Sequence, residues 1–335
     1  LIKYFYKLII GIQTEKESAD LKQSFVNQVD VRGYVFSHTL QERDSTRNPG
    51  DKIIMGQVNI ATDDDAVNVV PVNFYVAEKT KAGKVNATFT NLRQIIIENK
   101  TYEELGTDAA RVRITGAIDV NDYYGRDGNL ITGKRVRGSF LHFLNASEAI
   151  STDKMPATSF EADVLIQAAL ERESNDGSEY VSLQGFAFNY RGDVLPVTFS
   201  VQSEGGKNFF LGEDISAANP YFGKVWGNIK STVVVSQSEE DDAKAAFGAP
   251  QVRETSRTFR TWEVVGANVS EGLGEDTITQ EELAKGVADR EQRLADLKAR
   301  SEQQNSTAAG AAGFPTKAAP ASSVVPAKND KNYTF

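Results

Sequence analysis

Two eight-residue runs, VVPVNFYV at 69–76 and VLPVTFSV at 194–201, agree at five positions although well over a hundred residues separate them: Val69/Val194, Pro71/Pro196, Val72/Val197, Phe74/Phe199 and Val76/Val201. Alternating apolar residues mark each run as a strand with one buried face. The flanks match as well. KIIMGQVNIATD (52–63) precedes the first octet and YVSLQGFAFNY (180–190) the second, each carrying a glycine, Gly56 and Gly185. Further upstream lie VDVRGYVFSHTLQER (29–43) and FEADVLIQAALERE (160–173). Downstream, ARVRITGAIDVND (110–122) answers FGKVWGNIKSTVVV (222–235), and KRVRGSFLHFLNA (134–146) answers RTFRTWEVVGANV (257–269). The order is three strands, a spacer and two strands, used twice.

That order belongs to the OB-fold, a five-stranded Greek-key barrel with a helical element between its third and fourth strands. The expectation is a mainly β protein of two tandem OB-fold barrels, residues 26–150 and 157–270, with a two-sheet sandwich as the alternative topology. The first spacer, NLRQIIIENKTYEELG (91–106), reads as a strand remnant or as a helix closed by Gly106; the second, NFFLGEDISAANP (208–220), reads as a turn of helix at most. Pro71 and Pro196 cannot donate to a ladder and belong at a bulge or a strand start. Residues 1–25 read as an extension outside the fold. Over 277–304, Thr279 and Glu282 form a capping box, and Leu283, Val287, Leu294 and Leu297 share a helical face that Arg290 interrupts. One amphipathic helix follows, docked on a barrel or paired with a partner. The Ala/Pro/Ser-rich residues 305–335 carry too little apolar mass to pack and read as a disordered tail.

Composition narrows the function. The chain has no cysteine and only two histidines, His38 and His142. Thiolate metal sites, disulfides and a Ser-His-Asp triad therefore lack raw material, and no catalytic residue, metal ligand or cofactor is assigned. The Asp63–Asp65 run lacks EF-hand spacing and reads as an acidic turn. The opening LIKYFYKLIIGI is too short and too basic for a membrane span, which suggests a cytoplasmic protein, in a bacterial host if phage-encoded. A net charge of -9 weighs against nucleic acid, but residues 1–150 carry 19 basic and 19 acidic side chains, so the front half is neutral and local charge decides.

Strand parity sorts the surfaces. In the first unit Arg32 and Tyr34 share a face with Phe36 and His38; Gln57, Asn59, Asn73 and Tyr75 form a polar face; Arg111, Arg113, Arg135 and Arg137 oppose apolar partners. The hairpin NDYYGRDGNLITGKRVRG (121–138) adds Tyr123, Tyr124, Arg126 and Lys134. Guanidinium groups that neutralise phosphates, interleaved with rings that stack on bases, are what a single-strand binder needs. The alternative is that the tyrosines cover the hairpin base while its cations are merely solvated. The groove is expected between this hairpin and the loop at 38–52. In the second unit Phe186, Phe188, Tyr190, Trp226 and Trp262 are either a stacking platform or ordinary core. There SEEDDAKAAFG (238–248) replaces basic residues with acidic ones, so it points away from nucleic acid or its barrel contacts protein.

Strand order, repeat and loop chemistry resemble the OB-fold single-stranded DNA-binding proteins, in particular the two-barrel bacteriophage kind, over residues 29–270. The resemblance implies a non-enzymatic protein that binds single-stranded DNA without sequence preference and protects it during replication, recombination or repair. Bacterial proteins of this class end in a flexible linker and a terminal Phe that docks partners; here a low-complexity linker also ends in Phe335, though KNDKNYTF is not acidic. Replication or recombination proteins are the partners this layout implies, through the C-terminal helix and tail. Two other classes stay open: a structural β-domain protein of a virion or surface assembly, and an OB-type protein–protein adaptor. Oligomeric state is not encoded in any of these features.

Overall fold

The structure is a computed structural model that describes residues 25–310 apart from 126, 146, 153–154, 175–176, 240–251 and 276; for 232–239, 252–259 and 304–310 it describes the backbone only. Eleven strands are described: β1 (Asn27–His38), β2 (Gln41–Asp44), β3 (Lys52–Ala61), β4 (Val69–Ala77), β5 (Arg111–Tyr124), β6 (Leu130–Phe143), β7 (Thr158–Glu173), β8 (Glu179–Phe188), β9 (Val194–Val201), β10 (Tyr221–Glu239) and β11 (Val252–Ala267). The molecule is mainly β, and these strands run through one sheet.

Within that sheet the pairings return on themselves twice. β1 pairs antiparallel with β3 and β3 with β4; β4 then runs parallel to β6, β6 antiparallel to β5, and β5 comes back to β1. The second half repeats the circuit as β7–β8–β9–β11–β10–β7, with β9–β11 again the parallel contact. This is the strand order of the five-stranded Greek-key barrel. Inward residues come from the predicted parity: Val112, Ile114 and Ile118 on β5, Val72 and Phe74 on β4, and Val197 and Phe199 on β9 are all buried.

Several sequence expectations need correction. The run 29–43 is two strands, because the chain turns after His38 and β2 pairs with β3 as a short outer strand. The first spacer is a helix, α1 (Ala87–Glu98), capped by the Asn86 side chain and burying Phe89, Leu92 and Ile95; a single turn, α2 (Tyr102–Leu105), follows. The second spacer is more than a turn: α3 (Glu204–Gly212) buries Phe210, and Ser203 caps it by accepting from the Gly206 amide. The Gly205–Gly206 pair hides this helix, since glycine is a poor helix former, but the Ser203 cap satisfies part of that first turn. Neither proline sits at a bulge. Pro71 faces Asn59 of β3 and precedes Val72, where β4 first meets β6, so its missing N–H costs no ladder bond on that side.

The two circuits meet along β1 and β7, which pair antiparallel with Val29 opposite Phe160. On the outer sides, Val29 faces Gly116 of β5 and Phe160 faces Gly227 of β10. Val29 and Phe160 open the two matching sequence runs, and each glycine follows a register shift in its strand. A local pseudo-two-fold axis therefore passes between Val29 and Phe160. Both glycines are required by crowding: a Cβ on Gly116 would lie 2.2 Å from the Arg137 carbonyl oxygen, and one on Gly227 1.8 Å from that of Glu263. Phe160 reaches into the second circuit, 5.2 Å from the Phe199 ring and 5.3 Å from Trp262; burying such a side chain stabilises by about 1.5–3 kcal/mol.

The C-terminal helix α4 (Gln280–Gly310) continues past 304, and residues 311–335 lie outside the described part. Its capping box forms: Thr279 N donates to Glu282 Oε2 at 2.9 Å and Glu282 N to Thr279 Oγ1 at 3.2 Å. The helix is docked on the sheet. Leu283 and Val287 pack on a cluster of Phe188, Phe222 and Phe25. Phe25, 4.5 Å from Phe188 in a stacked pair, thus belongs to the core and not to an extension; residues 1–24 are outside the described part. Arg290 interrupts the apolar seam because its guanidinium makes two bonds of 2.7 Å to Asp122 on β5. Among the described residues no helix is long and apolar enough to cross a membrane.

Candidate nucleic-acid interface

The outer face of β3, β4 and β6 carries the exposed Tyr75 and Arg137 beside the partly exposed Gln57, Asn59 and Asn73. Cross-strand register places Met55 beside Tyr75, Gln57 beside Asn73, and Asn73 beside Arg137. Alternation turns Val58, Val72, Phe74 and Val136 inward and these residues out. Tyr75 is 52% exposed, and Arg137 is exposed with no ion-pair or hydrogen-bond partner among the described residues. The amides are pre-set: Gln57 Nε2 donates to Asn59 Oδ1 at 2.6 Å, and Asn59 Nδ2 to Ser37 Oγ at 2.9 Å. A ring for stacking, a guanidinium for phosphate and oriented amides thus lie on one face.

Four other arginines of the first unit are held by the protein itself. Asp30 holds Arg113 through Nε at 2.7 Å and Arg32 through Nε at 3.2 Å. Arg135 bonds Asp119 Oδ2 at 2.7 and 2.9 Å and also reaches Asn121. Arg111 donates to the backbone carbonyls of Asn145 and Glu148 and lies over the Tyr34 ring. Tyr34 itself is buried, a correction to its reading as a stacking ring: its hydroxyl donates to Asp64 Oδ1 at 2.9 Å and its ring packs 5.7 Å from Tyr102. Burial first, and the bond to Asp64 second, push its phenol above the usual range. The Asp63–Asp65 run forms a turn in which Asp63 accepts from the Val67 and Asn68 amides.

The β5–β6 hairpin does not stand free as a clamp. Its Tyr124 hydroxyl donates to the Leu294 carbonyl of α4, beside the Arg290–Asp122 pair. Lys134 reaches the second circuit: Nζ donates to the Thr198 carbonyl and sits 4.8 Å from the Phe199 ring centroid and 4.9 Å from that of Trp262. Burial without a carboxylate pushes this amine down to about 7. Of the hairpin residues, Tyr123 is exposed, and Arg126 lies outside the described residues.

In the second unit, the aromatic residues divide. Phe188 and Trp262 are core, a correction to their reading as a platform. Phe186 is half-buried in a cleft of about 650 Å³ on the β7–β8–β9 face, which Lys134 and Thr132 of the hairpin help to line. Tyr190 is exposed at a turn beside Arg191, and Trp226 keeps 40% of its surface open. The acidic run survives in the described part only at Ser238 and Glu239, whose side chains are not described. Among the described residues no cluster of three or more His, Asp or Glu side chains could hold a metal ion.

The model of the YorF family matches residues 26–300, which span both circuits and most of α4. The chain belongs to the YorF family. No curated protein matches this YorF family member. Among solved structures it is similar to the wild-type single-stranded DNA binding protein from Thermus aquaticus, at 11% identity and a TM-score of 0.43, over 74% of this chain and 94% of that one. A deletion mutant of the same Thermus aquaticus protein gives 11% identity and 0.43, over 73% and 95%.

Sequence reasoning placed Gln57, Asn59, Asn73, Tyr75 and Arg137 on the outside but missed Met55 and Phe140. Phe140 is 59% exposed because the register shift at Thr115/Gly116 breaks the alternation of β6, leaving Val136 and Leu141 both inward. Gly138, whose absent side chain gives room to the Phe74 ring, was the available signal for that irregularity.

Proposed function

We propose that the chain binds single-stranded DNA without base preference through the β3–β4–β6 face, and so coats transient single strands in replication, recombination or repair. In this reading residues 26–150 and 157–270 are two barrel domains, the first the binder and the second its brace. A bacterial cell hosting a phage is the implied setting. Replication or recombination proteins would be met through the exposed flank of α4 and the tail.

One observation carries the proposal: Arg137 is exposed without a partner among the described residues, in register with Asn73 and on the face of the open Tyr75 ring, whereas Arg32, Arg111, Arg113 and Arg135 have internal partners. An amphipathic face of this kind tracks a phosphate backbone and stacks bases of any sequence. The test is anisotropy with labelled oligo(dT) over a salt series. Replacing Tyr75 and Arg137 by Ala should weaken binding by about ten-fold or more, from about 1–3 kcal/mol per lost stacked base, and reduce the salt slope by about one. Unchanged affinity in the double variant, with the parent binding tightly, would sink the assignment of this face. Equal affinity for duplex and single strand would sink the function.

A further inference from the structure

The pseudo-two-fold axis opens onto a cleft of about 900 Å³ between the circuits. Its lining follows the axis. Thr115–Gly116 of β5 face Trp226–Gly227 of β10, and Asp30 of β1 answers Glu161 of β7. The ion pairs repeat as well: Asp30 holds Arg113 on one side, and Glu161 holds Lys224 at 2.8 Å on the other. What breaks the symmetry is the placement of rings. In the first circuit the small Thr115 is paired with Phe140; in the second the large Trp226 is paired with Gly266. Each half thus brings one open ring to the cleft, on opposite strands of its terminal hairpin.

Two open rings are costly surface to leave in water, and among the described residues Phe140 stays 59% and Trp226 40% exposed. Between them the cleft offers neutral hydrogen-bonding groups, Gln28, Ser159 and Asn228, that suit base edges. Its carboxylates are already engaged: Asp30 is held by Arg113 and Arg32, and Glu161 by Lys224. A lipid or apolar peptide would find ion pairs flanking too small an apolar area. Flat aromatic bases match the open rings and the neutral hydrogen-bonding groups together.

We propose that this cleft is a second base-stacking subsite, in which Trp226 and Phe140 stack nucleobases of the strand held by the β3–β4–β6 face. The inference rests on the single-strand reading above and adds a site that the reading does not need. It also assigns the second circuit a share in binding, through a β10 residue on the junction and not through its own β7–β8–β9 face.

Trp226 reports on the site directly, since Trp262 is buried at 4% exposure. The full chain is titrated with oligo(dT) of increasing length, read both by anisotropy of the labelled oligonucleotide and by tryptophan emission. Saturable quenching is expected, absent from Trp226→Leu, together with an affinity loss of about ten-fold for long oligonucleotides in Trp226→Leu/Phe140→Leu. Both rings are surface groups, and circular dichroism of the variants confirms the fold. If anisotropy shows binding while emission stays constant and the double variant binds like the parent, the cleft is not a subsite and the single-strand reading survives. Absence of any anisotropy change overturns both.

Discussion

Where the first circuit presents Arg137, the second presents Glu263. The two positions correspond, since each lies opposite the residue that follows the crowded glycine, Ala117 after Gly116 and Asn228 after Gly227. Arg137 is open and unpaired among the described residues; Glu263 is nearly buried and tied to Lys230. The faces beside them differ in the same sense. The β3–β4 face carries the open Tyr75, whereas the β8–β9 face is bordered by the first circuit's hairpin, whose Lys134 donates to the Thr198 carbonyl. One strand order thus supports a face with an open guanidinium and a face whose charge is paired, and the difference lies in a handful of outward side chains. Topology supplies the scaffold while alternate residues decide what it meets.

The contrast can be broken at its centre first. Phe160→Ala empties the junction side of the second core and should cost about 3–5 kcal/mol of stability; Val29→Ala, at the equivalent position of the first circuit, removes less volume and should cost less. Urea midpoints of the two variants measure the asymmetry. Giving the first circuit the second's charge, by Arg137→Glu, should lower affinity for oligo(dT) by about ten-fold at low salt, because a lost phosphate contact is compounded by repulsion. The reverse change, Glu263→Arg, should create no binding, as Glu263 is not open to a strand.

The hairpin contact gives a pH test. Lys134 has a folded-state pKa of about 7 against an ordinary 10.5, so between those values the unfolded chain holds the extra proton and stability rises with pH. Below about 7 both states are protonated and the slope vanishes. Lys134→Met should be more stable than the parent at pH 6, with the advantage shrinking as pH climbs toward 10. Parallel thermal melts across pH 6–10 would show it, and a constant difference would mean that the amine is not desolvated. The smallest effect is expected from Arg135→Ala: with its guanidinium already committed to Asp119, affinity for oligo(dT) should change less than two-fold, on the order of a few tenths of a kcal/mol.

Much of this architecture was readable in the chain. The matching octets fixed the third strands, and their flanks gave the order of the others. The interrupted seam of α4 announced Arg290 as special, although its partner Asp122 was beyond reach of periodicity. Parity turned Arg137 and Tyr75 outward, and the β4–β6 register set them on one face. It failed at Tyr34, whose burial depends on Asp64 and Tyr102 arriving from two other segments, and at Phe140, where a bulge shifted the count. It also overrated Arg32, Arg113 and Arg135. Asp30 lies two residues before Arg32 and so on the same face, and counting carboxylates along with cations would have shown the compensation. Local pattern determines which side a residue faces; what waits on that side is set by segments far away in sequence.

The β1–β7 seam has a consequence for how such a molecule can change. A dimer of identical subunits joined across an axis must carry the same residue at both sites, so any ring placed on one edge appears on the other and the two collide or leave a gap. With both halves in a single polypeptide that obligation is lifted. Val29 can meet Phe160, and a tryptophan can sit across from a threonine, so each side of the junction is free to specialise without unbalancing its counterpart.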